Sequence, residues 1–284
     1  NVIHSEFVPL FNPFQSYFDH LPSWDGVSDP IGDLADTVHV KSDQAEFRDY
    51  FRKWFVGILP ALLDDTVVNH EILVLIGEQG LYKTTWFNFL LPPELRCYFY
   101  TKTNSDRLNK DDLFSLTEFA LICFEELDGM RPAELNQLKA MVTMPYVNER
   151  AAYGRNKERH PHIASFCGTG NNVQFLTDPT GNRRWLPFEV SQIRDPHLHA
   201  IPYELVYSQA YALWKSGFCH WFSQEEIRVL NTHNSRFEVP NLEEDLIRTH
   251  FRKPFEGEAG IFVTAADILE QISSCLRYPL SPNK

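Results

Sequence analysis

Glu71-Ile72-Leu73-Val74-Leu75-Ile76 runs directly into Gly77-Glu78-Gln79-Gly80-Leu81-Tyr82-Lys83-Thr84-Thr85. The run from Glu71 to Ile76 is continuously apolar after its first residue, which suits a strand over Glu71 to Ile76 buried on both faces of a parallel sheet. The glycines that follow allow a tight turn whose N–H groups point inward. Lys83 then opens an expected helix, Lys83 to Leu91, which Pro92-Pro93 stops. Strand, glycine-rich turn, lysine, hydroxyl residue and helix in that order are the context of a phosphate-binding loop. In this reading Gly77, Gln79, Gly80, Tyr82, Lys83, Thr84 and Thr85 hold the phosphates of ATP. Lys83 reaches the β- and γ-phosphates, the Thr84 hydroxyl binds Mg2+, and the helix start adds partial positive charge. The common pattern has glycine directly before the lysine, whereas here the residue is Tyr82. The competing reading is a plain strand-to-helix turn with an incidental lysine.

Outward from this stretch the pattern alternates. Strands are expected at Cys97 to Tyr100, Phe119 to Phe124, His162 to Cys167 and Trp185 to Val190, with helices over Asp111 to Glu118 and Arg131 to Val142. Pro132 suits the first turn of the second helix. This β-α-β-α order predicts an α/β fold with a parallel-type sheet. Upstream, Phe47, Phe51, Trp54, Phe55, Ile58, Leu59, Leu62 and Leu63 follow a helical period from Gln44, which Pro60 should bend or end. The first forty residues show no period and read as an irregular arm anchored by Phe14, Phe18 and Trp24. Downstream of Pro202 the pattern is helical through Trp214 and again over Gln224 to Leu230. Past Pro240, a helix over Leu242 to His250, a strand over Ile261 to Val263 and a helix opened by Thr264 would suit the first part of a winged helix. The expected divisions are an N-terminal arm and helical segment (1–66), a nucleotide-binding core (67–200), a helical extension (201–239) and a truncated winged-helix-like segment (240–284). The chain begins at Asn1 rather than Met and ends in a helix-start sequence, so we expect a piece of a longer protein.

Two acids close the Phe119 to Phe124 strand. Glu125 is assigned to Mg2+ through its water shell, and Glu126 to the attacking water. A solvated acidic strand end is the plainer alternative. After the His162 to Cys167 strand comes Gly168-Thr169-Gly170-Asn171-Asn172, whose amides suit contact with the γ-phosphate or the water. Arg183 and Arg184 follow the turn Asp178-Pro179-Thr180-Gly181-Asn182; either is a candidate arginine finger for a neighbouring subunit's nucleotide, and plain surface charge is the alternative. From Asn148 to His162 lies a basic island, with Arg150, Arg155, Lys157 and Arg159 against Glu149 and Glu158. Tyr153-Gly154 marks a hairpin tip there, suited to tracking single-stranded or forked DNA. A solvated loop is the alternative.

Composition sets bounds. The 284 residues carry 26 Lys+Arg against 38 Asp+Glu, a net charge of −12, so contact with a phosphate backbone must be local. Five cysteines without a CxxC pair argue against a zinc ribbon or disulfide scaffold and for a reducing compartment, the cytoplasm. No apolar run approaches the roughly 20 residues of a spanning helix, so no membrane partner is expected.

Taken together, the residues resemble the virulence-associated protein E family of phage and mobile-element ATPases, related to the superfamily 3 helicases. The resemblance rests on Asn12-Pro13-Phe14, Tyr17 and Trp24-Asp25-Gly26, on Gly77, Gln79, Gly80, Lys83, Thr84 and Thr85, and on Glu125-Glu126-Leu127-Asp128. Lys139 and the Arg150 to Tyr153 stretch also fit it, as do Phe166 to Asn171 and, most specifically, Asp178 to Trp185. It implies a three-layer ATPase core, Mg2+-dependent hydrolysis, a homo-oligomeric ring in DNA replication and an associated primase-like domain. It favours Asn171 over Asn172. Two other functions remain open from the residues: a phosphoryl-transferring kinase for a small molecule, and a nucleotide-binding scaffold without turnover.

Overall fold

The computed structural model describes residues 11–103, 110–149, 157–177, 182–240, 242–255 and 257–274. The chain divides into two compact units, Asn1–Glu238 and Val239–Lys284.

The first unit opens with two short helices, α1 (Pro13–Asp19) and α2 (Pro30–Ala35), and a strand, β1 (Val38–Val40). Both helices begin with proline at the first helical position behind a capping side chain, Asn12 or Asp29, that accepts backbone N–H groups. The expected irregular arm is thus partly regular, and Phe14 and Phe18 are buried while Trp24 is only half-buried. Helix α3 (Gln44–Leu63) is capped by Asp43 and buries Phe47, Phe51, Trp54, Phe55, Ile58 and Leu59. Pro60 does not end it early: the helix runs on to Leu63. Pro60 lies in the last turn, where only one N–H is lost, and its carbonyl still accepts the Asp64 N–H at 2.8 Å.

The sheet follows. Its strands are β2 (Ile72–Ile76), β3 (Phe99–Lys102), β4 (Leu121–Phe124), β7 (Ser165–Gly170) and β8 (Trp185–Ile193), in the spatial order β1-β8-β2-β7-β4-β3. All neighbours run parallel except β1, which pairs antiparallel with β8. Strand β3 begins two residues later than expected, because Arg96–Tyr98 forms a tight helical turn first. The connecting helices are α4 (Lys83–Phe89), α5 (Lys110–Glu118) and α6 (Pro132–Val142), and a separate antiparallel hairpin pairs β5 (Tyr146–Glu149) with β6 (Glu158–Pro161). Helices α7 (Tyr203–Lys215) and α8 (Gln224–Asn234) complete the unit.

Residues of β2 alternate between two cores. Leu73 and Leu75 join α3, α4 and α7 on one face; Ile72, Val74 and Ile76 join Leu116 of α5 and Leu135 and Leu138 of α6 on the other. Helices therefore cover both faces of the sheet, which is why β2 reads as a continuous apolar run. Trp54 ties α3 to the sheet by donating its indole N–H to the Phe166 carbonyl at 2.9 Å. Among the described residues, no helix is long and apolar enough to cross a membrane, and Cys97, Cys123, Cys167 and Cys219 are free thiols.

The second unit contains α9 (Leu242–His250) and α10 (Ala265–Ser274). The strand expected at Ile261–Val263 is not formed: no described strand pairs with it, and Ile261 and Phe262 are exposed.

Candidate functional site

A cleft of about 440 Å³ opens where the parallel strands β2, β4 and β7 end. Carboxyl ends of parallel strands are where open α/β sheets place their ligands. The loop after β2 forms one wall. The Gly77 N–H donates to the Gly170 carbonyl at 3.1 Å, and a Cβ at Gly77 would stand 2.9 Å from the Val190 carbonyl oxygen. Only glycine lets this turn close against β8. Gly80 has φ +88°, and Tyr82, at φ 59°, adopts the left-handed conformation just before α4. That conformation costs a side-chain-bearing residue roughly 1–2 kcal/mol.

Lys83 is the first residue of α4 and is buried. Its ammonium donates to the Gly77 carbonyl at 2.6 Å and the Glu78 carbonyl at 2.7 Å, and reaches the Asn171 side-chain oxygen at 3.4 Å. Burial pulls its pKa down, and the Asp128 carboxylate pushes back. On the next residue, the Thr84 hydroxyl donates to Glu125 Oε1 at 2.8 Å. Glu126 also lines the cleft and takes a left-handed backbone, φ 55°. It leads into a tight turn, Leu127–Gly129, in which Asp128 accepts the Asn171 N–H at 3.1 Å and the Asn172 N–H at 3.0 Å.

The structure thus brings Gln79, Gly80, Tyr82, Lys83, Thr84, Thr85, Glu125, Glu126 and Asn171 to one cleft, with Gly77 supplying a carbonyl to Lys83. Asn172 faces elsewhere; its side-chain oxygen accepts the Gln174 N–H at 3.1 Å. Thr169 and Asp128 lie within the motifs quoted from the sequence, but the sequence assigns neither a role. Thr169 lines the cleft, and its signal was its place in β7 two residues before Asn171.

Arg183 and Arg184 do not join this cleft. They precede β8, beside His70 and Glu71, which precede β2, and line a cavity of about 380 Å³ with Trp221 and Phe222. That cavity lies at the other end of the strands, about 15 Å of strand away. Burial lowers the Arg184 pKa, with Arg183 adding to the effect; burial also lowers His70 and pushes the Glu71 carboxyl up to about 7.

On the hairpin, Lys157 and Arg159 are exposed, and the Arg159 guanidinium sits 3.4 Å from the centroid of the Tyr146 ring. Arg150 and Arg155 lie outside the described residues.

The donor set suits a magnesium–triphosphate group. Mg2+ is commonly held by one or two carboxylates together with substrate phosphates, and Thr84 and Glu125 offer hard oxygen ligands beside an ammonium. Among the described residues no group of three or more His, Cys, Asp or Glu side chains gathers into an all-protein metal cage.

The family profile for the virulence-associated protein E-like domain matches residues 19–239. No curated protein matches the chain. Among solved structures, the apo C-terminal region (305–718) of NrS-1 aligns at a TM-score of 0.50 and 13% identity, covering 81% of this chain and 56% of that one. Its A form aligns at a TM-score of 0.49 and 13% identity, covering 81% and 55%. The chain therefore spans little more than half of the solved chains it matches, and at that identity the likeness concerns the fold.

Proposed function

The chain belongs to the virulence-associated protein E-like domain family, and from that premise we propose that it is an Mg2+-dependent ATPase. Its hydrolysis would drive movement along DNA, or its unwinding or remodelling, in replication of a phage or mobile element. One observation carries the reading: a buried ammonium held by two loop carbonyls stands in the same cleft as a hydroxyl–carboxylate pair.

Each residue has a task in this reading. Lys83 exchanges its two carbonyl acceptors for phosphate oxygens, a trade of neutral for charged acceptors that favours the ligand. Bound Mg2+ supplies charge neutralisation between phosphate oxygens. Thr84 and Glu125 would be the residues that hold it. Glu126 takes a proton from the attacking water, and Asn171 orients that water. Arg183 and Arg184, at the far end of the strands, serve only the cleft of another copy, which makes a homo-oligomeric ring the working form. The β5–β6 hairpin, with Lys157 and Arg159, grips single-stranded or forked DNA, and a primase-like domain acts alongside.

The test is steady-state ATP hydrolysis with and without single-stranded DNA, for wild type, Lys83→Ala and Glu126→Gln, at concentrations that permit assembly. Each variant should lose at least about 100-fold in turnover. Equal rates in all three would remove the enzyme.

Tyr82 supports a second reading, a nucleotide-binding scaffold, because its left-handed backbone occupies the position where the loop pattern has glycine. Calorimetry with ATP and Mg2+ separates the two: binding without turnover favours the scaffold.

A further inference from the structure

Asp128 makes no hydrogen bond to Lys83 or Thr84 among the described residues, although its charge is felt at Lys83, and its carboxylate joins two strand ends. One oxygen accepts the Asn171 N–H at 3.1 Å and the other the Asn172 N–H at 3.0 Å. Both donors belong to the segment that leaves β7; the acceptor belongs to the turn that leaves β4. The fit between the two is close. A Cβ at Gly168 would stand 2.3 Å from Leu127 Cδ1, and one at Gly170 would stand 3.1 Å from Asp128 Oδ1. The left-handed backbone of Glu126 turns the chain into this contact, at a cost of roughly 1–2 kcal/mol that the surrounding contacts must offset. From the clamped backbone the Asn171 side chain reaches Lys83 at 3.4 Å, and the Gly170 carbonyl accepts the Gly77 N–H at 3.1 Å. Four segments are therefore connected through one carboxylate: the β4 turn, the β7 end, the loop after β2 and the start of α4.

We propose that Asp128 is a positioning residue, whose two oxygens fix the backbone of Asn171 and Asn172 and thereby set where the Asn171 amide stands over the Lys83 ammonium. The claim rests on the ATPase reading for its catalytic consequence, and on geometry alone for the clamp. Hydrogen bonds from backbone N–H groups to a carboxylate are the stronger, charge-assisted kind. An asparagine side chain keeps the shape of Asp128 but presents an NH2 to one of the two N–H donors, so it breaks half of the clamp without opening a cavity.

The experiment has two arms. Hydrogen exchange of the nucleotide-free chain reads the clamp. In wild type the Asn171 and Asn172 amides should be protected at least about 10-fold, although both residues are exposed; unprotected amides overturn the proposal with no variant needed. In Asp128→Asn at least one of the two should exchange at least about 10-fold faster while Ile72–Ile76 is unchanged. Unchanged exchange at 171 and 172, or a uniform increase throughout the sheet, overturns it. Steady-state hydrolysis reads the consequence. Asp128→Asn should lose about 10-fold in kcat with KM within about threefold, and Asp128→Asn/Asn171→Ala should be no slower than Asn171→Ala alone. Losses that multiply would mean Asp128 acts independently of Asn171 and would overturn the positioning role. A wild-type chain without turnover would sink the ATPase reading, and the exchange arm would still decide the clamp.

Discussion

At the carboxyl ends of β2, β4 and β7 the charged groups meet partners: Lys83 has two carbonyls, Glu125 has Thr84, and Asp128 has two amides. At the amino ends of β2 and β8, Arg184 keeps a buried Nε with no hydrogen-bond partner among the described residues, Arg183 is exposed, and burial holds the Glu71 carboxyl up at about 7. At one end the charged groups are hydrogen-bonded to one another's segments; at the other, two arginines gather beside the Glu71 carboxyl and the His70 imidazole. In the proposed ring, the arginine end of one copy would complete the lysine end of the next, so the two ends would be halves of one chemistry.

The largest effect should come from this division. Replacing both arginines, Arg183→Ala with Arg184→Ala, is expected to cut hydrolysis by about 10³–10⁵-fold with little change in ATP binding to the isolated chain. Mixing that variant with Lys83→Ala should restore part of the activity, because each supplies what the other lacks. Phosphate release from the mixture checks this; no recovery at any ratio would confine the arginines to a structural role.

A smaller effect separates the two ends by pH. Glu71 has its carboxyl raised from 4.5 to about 7 in the folded chain, chiefly by burial. The folded state then binds more protons than the unfolded one between those values, so stability falls as pH rises from about 4.5 to about 7 and stays low above it. Glu71→Gln should remove this slope. Urea unfolding should show the variant more stable than wild type by about 1–3 kcal/mol at pH 8, a difference that vanishes near pH 4.5. A difference independent of pH would assign the slope to another group.

The smallest change lies in the loop. Tyr82 is 43% exposed and strained at φ 59°, so Tyr82→Gly should relieve strain while removing little packing. The expected gain is about 0.5–1 kcal/mol in thermal or urea unfolding. A loss would show that the phenol ring carries more contact energy than its exposure suggests.

Much of the α/β pattern was legible because its signals are local. The apolar run Ile72–Ile76, the glycines behind it and the acids closing Leu121–Phe124 each lie within a few residues. Asn171 follows its strand just as closely. What escaped depends on distance along the chain. Strand β1 exists because it pairs with β8, far away in sequence. Helices α1 and α2, of seven and six residues, are too short to show a period, although Asn12-Pro13 and Asp29-Pro30 mark their starts. The role of Asp128 appears only when β7 is laid beside β4. At Ile261–Val263 the mismatch runs the other way: an apolar triplet suggests a strand, yet no described partner pairs with it.

Strand β7 lies between β2 and β4, so the strand that leads to the lysine and the strand that leads to the acids are never neighbours. Their separation is two ladder spacings, about 10 Å. That gauge belongs to the sheet and not to the loop. Substitutions in residues 77–82 can alter which molecule enters the gap and how firmly it is gripped, but the gap keeps its width for as long as β7 stays zipped between its two flanks.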